Sequence, residues 1–251
     1  ATSIVGGGLS DQYAYKGGAF PGTGGTCTNS LAGGSTICKI IVIFTPTSIG
    51  IKTADVEITY NNGVSAGILV KRGLTGTGAT PALIEISSAP NHDFGTIARN
   101  HFVTEIFTLT NSGNVVATGL NGLALPTPFE YNGGGAYPGG GTCPVLGTLA
   151  VGADCTVQIT YRPTANGVNS STFTIDYGDG VNSTSASIGL SGVSTDPGFL
   201  LISDSEPYDF GIRADGSSTL KTFTLTNTGS VEITGITPSG LVLPFRYNSG
   251  A

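Results

Sequence analysis

The sequence has few charged residues and few of the side chains that most often perform catalysis. Only 10% of the 251 residues are charged, whereas about 25% is usual for a globular domain. There are two histidines, no methionine and no tryptophan. No set of serine, histidine and aspartate, or of cysteine and histidine, has a catalytic spacing. We therefore expect no enzyme, no catalytic residue and no cofactor.

Long apolar runs and basic clusters are missing as well. The longest apolar run covers Ile40 to Phe44, which is far too short for a membrane-spanning helix. The net charge of −6 offers no basic patch for phosphates, which argues against nucleic acid as a partner. The chain begins at Ala1 and contains no methionine, so we expect a processed mature protein or a piece of a longer one.

Turn-forming residues are abundant, and short alternating stretches separate them. Forty glycines and thirteen prolines favour turns and disfavour long helices. After Cys155, the apolar residues Val157, Ile159 and Tyr161 alternate with polar ones, which is the period of a β-strand with one buried face. The sequence predicts an all-β protein.

An internal repeat organises the chain. The segment FTLTNSG at Phe107 to Gly113 returns as FTLTNTG at Phe223 to Gly229, an offset of 116 residues (223 − 107). A period of this length indicates repeated whole domains, and about seven short strands per period suggest an immunoglobulin-like β-sandwich. We predict tandem sandwiches: the C-terminal part of a repeat at 1–80, a complete repeat at 81–197 and the N-terminal part of a repeat at 198–251.

The four cysteines follow the same repeat. Cys27 and Cys143 lie 116 residues apart (143 − 27), and Cys38 and Cys155 lie 117 apart (155 − 38). Four cysteines allow three pairings, and the repeat favours the two local disulfides, with free buried thiols as the alternative. No spacing fits a zinc site. Disulfides imply an oxidising compartment, at the cell surface or outside the cell.

The order of these motifs resembles a bacterial family. The elements are Asp93-Phe94-Gly95, FTLTNSG, Cys143, the segment LAVGADCTVQITYRPT and the closing GLSG. Together they are similar to the choice-of-anchor D repeats, which are relatives of the ASH (Hydin-like) immunoglobulin-like domains. The resemblance covers the whole chain. It implies an exported protein of tandem sandwiches with a disulfide in each, and it assigns no residue role, because the family shares no catalytic site.

The repeat also provides an internal control for the two histidines and for the aspartate that precedes Phe-Gly in two copies. His92 and His101 are replaced in the third copy by Tyr208 and Ser217, so the fold requires neither histidine. Asp93 is kept there as Asp209, and we predict that these two aspartates bind backbone at a strand end.

Asp176 and Asp179 resemble a weak calcium loop in the run Asp-Tyr-Gly-Asp-Gly. Their equivalents in the first copy are Thr59 and Asn62, which would bind calcium poorly, and no glutamate lies at the distal position of such a loop. We predict a hairpin turn at Asp179-Gly180 and no metal site.

Two isoleucines mark a surface that the middle copy does not have. Ile41 and Ile43 fall on the strand face where the middle copy has Gln158 and Thr160. A solvated sheet face does not favour two isoleucines. Either loops of the same domain cover them, or another domain or chain does.

The two partial repeats are complementary, because the first lacks its beginning and the third lacks its end. Half a sandwich exposes strand edges that pair or aggregate. One hypothesis is a head-to-tail homopolymer in which strands of one molecule complete the next. Its predicted contacts are Ile41, Ile43, Phe223, Leu225, Phe245 and Tyr247.

The alternative is a segment of a longer repeat protein, whose neighbouring repeats complete both halves. Both hypotheses give an extracellular structural fibre or stalk. A second functional class is an adhesin or ligand-binding module, with a host protein or glycan bound at exposed loops such as Gly133 to Gly141.

Overall fold

The computed structural model describes residues 1–10 and 12–248, and within them the regular structure is almost entirely β. A short 3-10 helix spans Asn132–Gly134. The strands are β1 (Thr2–Gly7), β2 (Tyr13–Tyr15), β3 (Val42–Phe44), β4 (Gly50–Asn61), β5 (Ile68–Gly78), β6 (Ile84–Ile86), β7 (Asn91–Ala98), β8 (Val103–Asn111), β9 (Ala117–Gly122), β10 (Phe129–Tyr131), β11 (Gly147–Leu149), β12 (Asp154–Tyr161), β13 (Gly167–Gly178), β14 (Ser183–Thr195), β15 (Leu200–Ile202) and β16 (Leu225–Asn227).

The middle repeat (82–197) is a two-sheet sandwich. One sheet has the strand order β10-β12-β8-β6, and the other has the order β11-β9-β13-β14-β7. All neighbours run antiparallel except β7, which pairs with β14 in parallel. Two packed, largely antiparallel sheets of this size are immunoglobulin-like. The predicted all-β, immunoglobulin-like fold class is confirmed.

Alternating side chains from both sheets fill the core of this sandwich. Val157, Ile159 and Tyr161 on β12 are fully buried, as the period of two predicts. On β13, the alternate residues Phe173, Ile175 and Tyr177 face them from the other sheet. The core therefore lies between β12 and β13.

The last residue of the GLSG and GLTG motifs is glycine, because an aromatic ring lies where a side chain at that position would be. A Cβ on Gly192 of β14 would lie 2.6 Å from the ring of Tyr161 on the facing sheet. In the first copy, a Cβ on Gly76 of β5 would lie 2.7 Å from the ring of Phe44. The GLSG and GLTG motifs thus mark close contact between the sheets.

The apolar stretch at the start of the middle repeat divides into two strands. The stretch from Ala82 to Gly95 reads as one strand, but the structure divides it into β6 and β7, which lie in different sheets. The chain turns between them, where Ser88 has a φ of 65°. Pro90 follows and has no N–H for a ladder. The strand therefore cannot continue, and it crosses to the other sheet.

The chain separates into two compact units. The first unit comprises Ala1–Pro81, and the second begins at Ala82. The first unit contains the sheet β1-β4-β5 and the pair β2-β3, and its buried hydrophobic side chains among the described residues are Tyr13, Tyr15 and Val56. The predicted three-part division stays a prediction, and the last three residues of its third part lie outside the described residues.

Candidate assembly interface

The first unit contains five of the strands that build the middle repeat. By the repeat offset, β1, β2, β3, β4 and β5 correspond to β9, β10, β12, β13 and β14. Among its described residues, none corresponds to β6, β7 or β8, and the β9–β11 pairing is reduced to the single bridge between Thr2 and Ser30. The C-terminal segment (198–248) contains the counterparts of β6 and β8, which are β15 and β16. The strands that one end lacks are therefore present in sequence at the other end.

The missing strands leave two open edges in the first unit. In the middle repeat, β12 lies between β10 and β8, and β14 lies between β13 and β7. Their counterparts β3 and β5 each have a single neighbour in the described part of the chain. The backbone N–H and C=O groups along these two edges have no ladder partner, which makes them templates for an added strand.

Strand length shows the effect of the missing partner. β12 and β8 pair over eight consecutive residues, and they are eight and nine residues long. Their counterparts β3 and β16 are three residues long each. The equivalent residues are rich in β-branched and aromatic types, with ICKIIVIF at 37–44 and TLKTFTLTN at 219–227. The difference in length therefore follows the absent ladder rather than a lower strand propensity.

Core-type side chains in the C-terminal segment are exposed. In the middle repeat, the equivalent positions Phe107, Leu109, Phe129 and Tyr131 are at most 5% exposed. The exposed fractions of the four predicted contact residues are 41% for Phe223, 47% for Leu225, 51% for Phe245 and 55% for Tyr247. These side chains have the apolar character of a core without its burial.

The positions of Phe245 and Tyr247 are already filled in the first unit. By the repeat offset they correspond to Tyr13 and Tyr15 on β2. Both tyrosines are buried, and β2 already pairs with β3. Only 198–230 of the C-terminal segment therefore supplies what the first unit lacks.

The structure distinguishes the two predicted isoleucines. Ile41 is half-buried, and its backbone bonds the glycine-rich stretch of its own unit: its N–H donates to the Pro21 carbonyl (2.8 Å), and its carbonyl accepts from the Lys16 N–H (2.9 Å). A loop of the same domain thus covers Ile41. Ile43 is 41% exposed. Its equivalent in the middle repeat, Thr160, is fully buried.

Residues 137–141 of the glycine-rich stretch of the middle repeat pack along β12, whereas residues 133–136 are exposed. Gln158 N–H donates to the Pro138 carbonyl (3.0 Å), and Cys143 N–H donates to the Thr156 carbonyl (3.1 Å). A Cβ on Gly141 would lie 2.1 Å from that same Thr156 oxygen. Glycine is required there because the loop backbone touches the strand backbone. Ligand binding by Gly133 to Gly141 stays a prediction.

Both predicted disulfides are formed. Cys27 pairs with Cys38, and Cys143 pairs with Cys155, with Cα–Cα distances of 4.8 and 4.7 Å. Cys143 ties the end of the glycine-rich stretch to Cys155 on β12, and Cys27 ties the equivalent stretch to Cys38, which precedes β3. Closing loops of 11 and 12 residues stabilises each by roughly 3 kcal/mol in the chain-entropy model.

The aspartate at the β13–β14 hairpin acts on the turn backbone. The Asp179 carboxylate accepts from the N–H groups of Asn182 (2.6 Å) and Val181 (2.7 Å). These bonds lower the pKa of Asp179. In the first copy, Asn62 accepts from Val64 and Ser65 in the same way. The hairpin prediction is confirmed. Asp176 lies half-buried within β13.

The paired aspartates before Phe-Gly also bind backbone, as predicted. The Asp93 carboxylate accepts from Gly95 N–H (2.9 Å), and the Asp209 carboxylate accepts from Gly211 N–H (2.7 Å). Asp93 lies inside β7 and not at a strand end. The ladder to β14 shifts register between Ser191 and Val193. The carboxylate therefore stabilises an irregularity within the strand.

The histidines occupy packing positions. His92 lies edge-on to Phe94 and Phe107, with ring centroids 4.9 and 5.1 Å away. Its third-copy equivalent, Tyr208, makes the same contacts with Phe210 and Phe223 (5.1 and 5.4 Å). The position thus holds a flat ring against the core. His101 is exposed beside Phe102.

The described part of the chain has neither a metal-binding cluster nor a membrane-spanning helix. Within residues 1–10 and 12–248, no three histidine, cysteine, aspartate or glutamate side chains are grouped so that they could hold a metal ion. No helix in that same part of the chain is long and apolar enough to cross a membrane.

No protein-family model and no curated protein matches the sequence. Among solved structures, the ASH/PapD-like domain 7 of human CEP192 matches with a TM-score of 0.33 and 22% identity, over 53% of this chain and 98% of that one. A protein of unknown function from Porphyromonas gingivalis W83 matches with a TM-score of 0.34 and 12% identity, over 77% and 86%. Human CDH23 EC21-23 matches with a TM-score of 0.29 and 12% identity, over 92% and 70%.

These TM-scores are low, so the immunoglobulin-like assignment rests on the strand topology and not on the matches. The sequence resemblance to the ASH domains and to the choice-of-anchor D repeats stays a prediction.

Proposed function

We propose that this chain is a structural subunit of an extracellular filament, assembled head to tail by strand complementation. The observation that carries the proposal is the complementarity of the two ends: the first unit lacks counterparts of β6, β7 and β8, and 198–230 contains their sequences. Added strands gain backbone ladders along an open edge, and side-chain pockets give specificity.

The middle repeat provides the template for the junction. There Phe107 lies opposite Val157, and Leu109 lies opposite Cys155. Transferred by the repeat offset, Phe223 of one molecule pairs with Ile40 of the next, and Leu225 pairs with Cys38. The donated strand completes the sheet beside β3 and buries both side chains.

A second donated strand completes the other sheet. β7 pairs with β14 in parallel, and its counterpart in the C-terminal segment is 207–214. These residues would lie parallel to β5, whose edge is open. Because each molecule offers one open half and one donor segment, the contact is heterologous and does not close on itself, so it propagates as a filament.

The chemistry of the chain suits a mechanical role outside the cell. Two disulfides persist in an oxidising compartment, and long ladders such as β13–β14, paired over twelve residues, resist extension. No catalytic residue, cofactor, nucleic acid or membrane span is needed for this role. The filament partner is a second copy of the chain.

Electron microscopy of the purified chain, diluted from denaturant under oxidising conditions, tests the proposal. We expect filaments with an axial repeat near two domain lengths, since each molecule then contributes one whole and one composite sandwich. Monodisperse monomers or amorphous aggregate would count against self-assembly. They would indicate that flanking repeats of a longer protein complete both halves.

A further inference from the structure

One cross-strand pair differs between the middle repeat and the two open halves. On the outer face of the middle repeat, the hydroxyls of Thr104 on β8 and Thr160 on β12 lie 2.8 Å apart. These residues are directly opposite each other in the ladder. By the repeat offset, Thr104 corresponds to Leu220 and Thr160 corresponds to Ile43. Both members of a polar pair have been replaced by apolar residues.

The two replacements lie in different parts of the chain. Leu220 is 78% exposed and Ile43 is 41% exposed. Ile43 lies on the outer face of β3, and Leu220 lies outside the strands of the free chain, before β16. Neither exposed apolar side chain is buried by the other in the free chain. They become neighbours only if 198–230 pairs with β3 in the register that β8 and β12 use.

A residue of the Thr104–Thr160 pair is a poor partner for a residue of the Ile43–Leu220 pair. Thr160 is fully buried, and its hydroxyl bonds Thr104 and, at 3.3 Å, the Asn132 side chain. Leu220 opposite Thr160 would remove the Thr104 partner from a buried hydroxyl, which is unfavourable. Thr104 opposite Ile43 would likewise place a hydroxyl against an apolar side chain.

We infer that the Ile43–Leu220 pair is a specificity-determining contact, which selects the C-terminal segment of a second copy for the first unit and excludes strand β8. This inference rests on the proposed assembly. The matched pair supplies the attractive element, and the mismatched hydroxyls supply the repulsive element that specificity needs. The pair also marks the register, because a slip by one residue moves Leu220 to the core face.

Three variants test the pair: Ile43→Thr, Leu220→Thr and the double variant. We expect each single substitution to raise the concentration needed for assembly about tenfold, because apolar area is no longer buried at the junction. The double variant should recover to within about threefold of the wild type, because it recreates the Thr–Thr pair of the middle repeat. Val168→Thr, an exposed position on β13, is the matched control and should assemble like the wild type.

The outcomes separate this inference from the proposed function. Both sites are exposed in the free chain, so circular dichroism of the unassembled variants should match the wild type. Wild-type chains that never assemble would overturn the proposed function and the inference together. Two outcomes would overturn the inference alone, provided that the wild type forms filaments. In one, the single variants assemble like the wild type; in the other, the double variant is weakened by as much as the two single effects combined.

Cross-linking provides a second readout, of the register itself. Chains with Ile43→Cys are mixed with chains with Leu220→Cys, so that only an intermolecular contact joins the two engineered thiols. We expect a covalent dimer on non-reducing gels and much less of it when Thr224→Cys replaces Leu220→Cys, because position 224 lies four residues along the strand. Equal cross-linking at both positions would overturn the register.

Discussion

Tyr137 lies within the glycine-rich stretch of the middle repeat and has a buried hydroxyl. Its ring is 5.9 Å from that of Tyr131 and meets it edge-on. The Tyr131 hydroxyl donates to the Leu123 carbonyl (2.7 Å), but the Tyr137 hydroxyl has no hydrogen-bond partner among residues 1–10 and 12–248. Burial raises the pKa of Tyr137 to about 12, and it also raises the pKa of Tyr131.

The raised pKa predicts a loss of stability at high pH. The stability that neutral, buried Tyr137 contributes is fully present below the unfolded-state tyrosine pKa of about 10. It is lost as the pH rises through about 12, because Tyr137 ionises at lower pH in the unfolded chain than in the folded one. Tyr137→Phe should leave the free energy of unfolding at pH 7 unchanged or slightly higher, and it should reduce the fall above pH 10. Denaturant unfolding across this pH range measures both effects.

Tyr177→Phe is the control for that substitution. Its hydroxyl accepts a hydrogen bond from Ile84 N–H (3.2 Å), so its removal should lower the free energy of unfolding at pH 7 by about 1 kcal/mol. If Tyr137→Phe lowered the free energy of unfolding at pH 7 as much as Tyr177→Phe does, the Tyr137 hydroxyl would have a hydrogen-bond partner, contrary to this prediction.

At the scale of elements, a strand extends only as far as a neighbouring strand pairs with it. β12 has neighbours along both edges, whereas β3 has one and is three residues long. Residues 37–41 precede β3 and align with β12, and residues 219–224 precede β16 and align with β8. In the free chain these residues do not form strands, although their sequences favour strands.

Hydrogen exchange should detect the completion of these strands. On assembly, the amides of 37–40 and 219–223 that join the new ladder should slow by on the order of a hundredfold, because they then open only with the junction. The N–H groups of Ile41 and Thr224 already have partners in the free chain, the Pro21 carbonyl and the Ser203 hydroxyl, and should change less. The amides of β12 and β13 in the middle repeat should change little and serve as the internal reference. Protection confined to β12, with none gained at either end, would contradict strand donation.

At the scale of the whole molecule, the proposed assembly assigns one acceptor half and one donor segment to each chain. The truncated chain 1–197 keeps the acceptor and loses the donor, and 82–251 keeps the donor and loses the acceptor. Neither should polymerise alone. Mixed together they should form one-to-one dimers that grow no further, because no open half or donor remains.

Sedimentation velocity of the two truncated chains, separately and mixed, measures this stoichiometry. Either chain added to the full-length protein should shorten the filaments by blocking one end. Filaments from 1–197 alone would show that the junction uses another surface.

Much of this protein follows from its sequence, because repetition and alternation are properties of the covalent chain. The period of 116 residues (223 − 107), the β-strand alternation around Val157 and the pairing of nearby cysteines can all be predicted from the sequence. The mismatch of Ile43 with Thr160 is visible by alignment of the copies. The candidate contacts Phe223 and Leu225 follow from the repeat, in which they are the equivalents of Phe107 and Leu109.

The tertiary structure decided what depends on contacts between distant residues. Only the fold separates β6 from β7 into different sheets, since a turn and a change of sheet leave the apolar pattern unbroken. Only the fold shows that the glycine-rich stretch covers Ile41, and that Tyr13 and Tyr15 already fill the positions of Phe245 and Tyr247. A strand's neighbours are chosen by long-range pairing, and this information is not contained in the local pattern of any one segment.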